Sequence, residues 1–124
     1  KPLVSGAAIR FDGQLCVFDL RAADSPCYQC VFPRELESEE ERCAVMGVFA
    51  PLVGVIGTLQ AQEAVKVLTS IGAPLCARLA LYDALHARWH EVRVRKDPAC
   101  AACGGHVVGR HDSENSEKTE VQHV

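Results

Sequence analysis

The chain has 124 residues, 13 basic and 16 acidic side chains and a net charge of −3 at neutral pH, and 48% of its residues are hydrophobic. That length suffices for one domain with its own core, while interspersed charges of both signs lack the basic footprint of a nucleic-acid binder. The longest apolar run, residues 44–59, is 16 residues long and interrupted by Pro51 and three glycines, short of the roughly 20 that a bilayer span requires, so no membrane partner is expected either.

Taken in order, Leu3 to Ile9 and Gln14 to Leu20 are β-rich runs around Phe11-Asp12-Gly13. Asp-Gly supplies the positive φ angles of a tight turn, so the first prediction is an antiparallel hairpin turning there. The chain opens on Lys1 and runs directly into the first strand. It reads as a piece of something larger, with a leading strand that should pair with residues not present. In the second strand Cys16 shares a face with Phe18 and Leu20 and is expected to be a small buried hydrophobe.

Residues 31–46 show no clear period and carry a charged cluster from Glu35 to Arg42. An irregular stretch of that length is either functional or a solvated linker. Helical spacing begins near Pro51, which suits a first helical turn, and runs through Leu52, Val55, Ile56, Leu59, Ala61, Ala64, Val65 and Leu68. The apolar coverage predicts a long, mostly buried helix, ended by Gly72 and Pro74. Gly54 and Gly57 weaken it by up to about 1 kcal/mol each relative to alanine, which close packing against another backbone would explain. Leu79 to Asp83 and Trp89 to Arg95 read as two further half-buried antiparallel strands. Residues 1–105 are thus one domain, and the polar stretch 106–124 is expected to be a disordered tail or linker.

Seven cysteines is a high, odd count. Two pairs of the CxxC type, Cys27-Tyr-Gln-Cys30 and Cys100-Ala-Ala-Cys103, favour metal or thiol chemistry in a reducing compartment, here the cytoplasm, over a secreted disulfide framework. Two residues between cysteines let both sulfurs face one ion, and two such turns complete the tetrahedral S₄ set preferred by structural Zn²⁺. Because 69 residues separate Cys30 from Cys100, such a metal would staple distant segments. Four thiolates leave no open position for water, so the site would be structural rather than hydrolytic. A redox-active CxxC and a pair of disulfides are the alternatives. Cys43 sits in the irregular stretch, with Arg42 favouring its thiolate and Glu39, Glu40 and Glu41 opposing it. Cys76 reads as a buried residue at the start of a strand. The five histidines offer no ligand spacing, and no phosphate-cradling glycine loop or Ser/His/Asp set stands out.

The ordered runs KPLVSGAAIRFDGQ, PCYQCVFP, CAVMGVFAPLVGVIGTLQAQEAVKVL, LYDA and DPACAACG together resemble the MoeB/ThiF family of ubiquitin-activating-type adenylyltransferases over residues 1 to 105. The resemblance implies an α/β chain forming the C-terminal half of a ThiF-type Rossmann-like activating-enzyme fold, with antiparallel strands, one long buried helix and a zinc site of four cysteines. It implies that Cys27, Cys30, Cys100 and Cys103 are structural zinc ligands and that Cys43 is the family's nucleophilic thiol in a crossover loop. Members use ATP and Mg²⁺ to adenylate the C-terminal glycine of a ubiquitin-like sulfur carrier for molybdopterin, thiamin or tRNA thiolation. The family's nucleotide-binding half should precede Lys1, so these residues alone are expected not to adenylate. Homodimerisation and a rhodanese-type sulfur donor are further expectations. A zinc-stabilised module that binds the carrier without catalysis is the alternative function, and a thiol–disulfide oxidoreductase using CYQC a third.

Overall fold

The computed structural model describes residues 1–34 and 47–104. Its frame is a four-stranded antiparallel sheet in sequential order, β1 (Leu3–Ile9), β2 (Asp12–Phe18), β3 (Arg78–Asp83) and β4 (Arg88–Arg93). Among the described residues it is accompanied by two helices, α1 (Tyr28–Val31) and α2 (Ala50–Thr69).

The first hairpin forms, but its turn lies two residues before the predicted Asp12-Gly13 pair. Ile9 pairs with Asp12, leaving Arg10 and Phe11 as the loop, and Arg10 takes the positive φ of 53°. Asp12 and Gly13 already belong to β2. What Gly13 supplies is space rather than a turn: a Cβ there would run into the side chains of Ile56 and Leu52 on α2. The glycine therefore lets the helix settle onto the sheet.

β2 is the buried centre of the chain. Leu15, Cys16, Val17 and Phe18 are each at most 2% exposed, so both faces of the strand are covered rather than one. On one side α2 packs across β1 and β2 through Leu52 and Ile56. On the other, Cys16 and Phe18 join Val92 and Val94 in a core covered by Val31 and Phe32 and flanked by Leu79 and Leu81. Cys16 is a core residue as expected, and burial pushes its thiol up to about 12, which makes it inert near neutral pH. Cys76 is only half-buried and bridges to Val17 in the sheet.

α2 starts with proline in its first turn as predicted, but its left-handed cap is Ser70, with φ 58°, not Gly72. The larger correction concerns burial. Only Leu52, Ile56 and Glu63 are buried along the helix, whereas Val53, Val65 and Leu68 are 49%, 56% and 83% exposed. Apolar residues lie all round this helix, while a single sheet covers one stripe, and so the remainder of its apolar surface faces outward. Glu63, 2% exposed, is paired with Lys66 and accepts the Leu75 N–H at 2.8 Å. Lys66, half-buried, also donates to the Ala73 carbonyl at 3.0 Å, so the ion pair ties the segment after α2 back to the helix ahead of β3. Among the described residues no helix is long and apolar enough to cross a membrane.

Candidate metal centre

The four cysteines of the two CxxC pairs meet at one end of the sheet, on the side opposite α2. Pro26 is fully buried and leads into Cys27, which stands in extended conformation as the N-cap of α1. The Cys30 N–H then donates to the Cys27 carbonyl at 3.1 Å, closing a turn that aims both sulfurs the same way. A four-residue helix has no stability of its own. α1 is fixed from outside by an aromatic chain in which Tyr28 lies 5.6 Å from Phe18 and 5.0 Å from Phe32, centroid to centroid.

The second pair follows β4. The Cys100 N–H donates to the Asp97 carbonyl at 3.1 Å and the Gly104 N–H to the Cys100 carbonyl at 2.7 Å. Any Cβ at Gly104 would collide with the backbone of Cys100 and the Pro98 carbonyl. Glycine is required there by this close approach.

The sulfurs of Cys27 and Cys30 are 3.7 Å apart, those of Cys27 and Cys100 3.6 Å, and those of Cys30 and Cys103 3.3 Å. All four lie within 4.8 Å of one another. A tetrahedral ion with Zn–S bonds of about 2.3 Å places its sulfurs about 3.8 Å apart. The cluster is thus sized for such an ion, and soft thiolate donors in a closed set suit zinc. Cys27 and Cys100 are buried, at 7% and 5% exposure, and all four thiols are free.

Crowding splits their acidities. Cys100 is lowered to about 6, first by the backbone N–H of Cys103, whereas Cys103 is pushed up to about 12, first by burial and then by hydrogen bonding with its neighbours. Burial also raises Cys30. Four thiols at this spacing cannot all ionise without a cation among them. A cation at the centre of the cluster would let all four ionise.

The structure brings together every predicted metal ligand. Cys43 lies outside the described residues, as do residues 35–46 generally and the tail from 105 onward. His86 is an exposed hairpin residue whose Nδ1 is 2.7 Å from Asp83, away from the sulfur cluster. Sequence reasoning missed Lys96, Asp97 and the Phe18–Tyr28–Phe32 chain. The Asp-Pro step before the second CxxC was the available signal, since a short Asp side chain before proline initiates turns.

The sequence profile of the ThiF family matches residues 1–102. The chain belongs to the ThiF family. Among its relatives, a sulfur carrier protein adenylyltransferase of Thermus thermophilus is 47% identical over 114 residues, 89% of this chain and 42% of that protein. A molybdopterin-synthase adenylyltransferase of Salmonella typhimurium is 44% identical over 103 residues, 83% of this chain and 41% of the relative. An adenylyltransferase and sulfurtransferase of Zea mays is 48% identical over 110 residues, 87% of this chain and 23% of the relative. The ThiF chain thus spans less than half the length of these curated relatives. The crystal structure of E. coli MccB shares the fold, with a TM-score of 0.67 at 15% identity over 92% of this chain and 35% of that one.

Proposed function

We propose that this ThiF-family chain is the zinc-bearing part of an ATP-dependent adenylyltransferase that activates the C-terminal glycine of a ubiquitin-like sulfur carrier for sulfur transfer. The observation that carries the reading is the convergence of Cys27, Cys30, Cys100 and Cys103 on one metal-sized site within a family match over residues 1–102. Relatives named as sulfur carrier and molybdopterin-synthase adenylyltransferases supply the reaction class. Cys27, Cys30, Cys100 and Cys103 would hold the ion, and four thiolates would make its contribution structural cross-linking rather than chemistry.

In the proposed reaction a carrier carboxylate attacks the α-phosphate of ATP, giving an acyl-adenylate and releasing pyrophosphate. The thiolate of Cys43 then attacks the acyl carbon to form a thioester and expel AMP. ATP and Mg²⁺ are bound outside residues 1–105, which carry no phosphate-cradling glycine loop. Residues 106–124 serve as a polar tail or linker, a rhodanese-type protein donates the sulfur, and the cytoplasm provides the reducing conditions that the free thiols among the described residues require. The uncharged outward face of α2 supports a homodimer, because an uncharged surface meets its own copy without repulsion.

The test is ATP–pyrophosphate exchange with a purified carrier. The chain alone should show none, and the chain joined to the remainder of the family's adenylating architecture should show it; exchange by the chain alone would overturn the assignment of nucleotide binding. Cys43→Ser in the joined protein should leave exchange intact and abolish the covalent carrier adduct. Were carrier binding the sole function, no adduct would form in either version.

A further inference from the structure

The two cysteine turns are joined by more than their sulfurs. Lys96, half-buried after β4, donates from Nζ to the Ala23 carbonyl at 2.8 Å, reaching the turn that leads into Cys27. The next residue donates its backbone N–H to a ligand atom, Asp97 to Cys30 Sγ at 3.5 Å. The Asp97 carbonyl accepts the Cys100 N–H, and its Oδ1 accepts the Ala99 N–H at 2.9 Å. One dipeptide therefore touches the approach to the first pair, a sulfur of the first pair and the backbone of the second.

We propose that Lys96 and Asp97 form a positioning strap that sets how tightly and how long the four-cysteine centre holds its metal. The inference rests on reading that centre as a zinc site. An N–H bond to sulfur stabilises the thiolate form that binds the ion, and partners of this kind orient ligands and tune affinity. A divalent ion with four thiolates carries a net charge of −2, which does not favour a carboxylate as a direct partner. Asp97 therefore acts through its turn, where Oδ1 fixes the Ala99 N–H and the Asp97 N–H reaches Cys30, while Lys96 acts through its reach to the Ala23 carbonyl. Neither residue touches the ion itself.

The strap is tested on the complete zinc-loaded chain by competition with a chromogenic chelator and by the absorption of the Co²⁺-substituted protein. Asp97→Ala should weaken zinc binding by on the order of 10- to 100-fold, speed its release and shift the sulfur-to-cobalt charge-transfer band. Asp97→Asn, which keeps the acceptor and removes the charge, should hold zinc at least as well as the parent. Lys96→Met should speed release and Lys96→Arg restore retention, with the far-ultraviolet circular dichroism of the metal-free chain unchanged throughout. Parental affinity, release rate and cobalt spectrum in both Asp97→Ala and Lys96→Met would overturn the strap while leaving the metal centre standing. A parent chain that takes up neither zinc nor cobalt would overturn both.

Discussion

The two sides of the sheet are held in different ways. On the α2 side a 20-residue helix lies on β1 and β2 through ordinary apolar packing, with Gly13 cleared for Ile56 and Leu52. On the opposite side the cover is a four-residue helix, an aromatic chain and a cluster of thiols. The long helix brings enough apolar surface to hold itself in place. The short one has little surface of its own beyond that aromatic chain, and the zinc proposed for the four cysteines would add a tie that is stronger per residue.

The largest expected effect breaks the second side alone. Cys27→Ser, or removal of zinc by a chelator, should cost several kcal/mol and lower the thermal midpoint by more than about 10 °C, while far-ultraviolet circular dichroism still reports α2. Acid should act in the same direction. Zinc binds thiolate, and Cys30 and Cys103 are held above the ordinary thiol range, so binding must displace their protons and zinc retention should fall as pH falls. Metal content measured against pH checks the sign.

The next effect breaks the first side. Ile56→Ala removes a side chain that is 3% exposed and should cost about 2–5 kcal/mol by denaturant unfolding. Zinc per chain should remain at the parental value, because Ile56 touches the other face of the sheet. Loss of zinc together with Ile56 would mean that the two sides are not separate in the way described.

The smallest effect sharpens the comparison. Gly54 and Gly57 have open space where a Cβ would stand, so Gly54→Ala and Gly57→Ala should stabilise the monomeric chain by up to about 1 kcal/mol each. Neither glycine is required by a contact within the described residues. If the outward face of α2 is where two copies meet, sedimentation should show weaker self-association in the same variants that unfold later.

The cysteine set is legible in the sequence because two-residue spacing is a local constraint: it states which sulfurs can share an ion before any fold is known. The strands and α2 are legible from alternation and helical spacing, with the boundaries moved by a few residues. The hairpin turn is misplaced because Asp12-Gly13 satisfies the rule for a turn and the need for a close helix contact equally well. Only the position of Ile56 decides between them. The burial of α2 is overestimated because periodicity counts apolar residues, whereas burial requires a partner for each face. Lys96 and Ala23 are 73 positions apart, and no sequence rule joins a lysine to a distant carbonyl.

The separation of the two cysteine pairs has a consequence for the order in which the molecule is made. During synthesis Cys27 and Cys30 emerge early, but the site lacks half its donors until residue 103 has left the ribosome, after all four strands have been produced. The contacts that close it are among the longest in sequence and so among the last to form. A ribosome product that stops short of residue 100 would offer the proposed ion only the first CxxC pair, so capture by all four thiols would require that the strands had already been made.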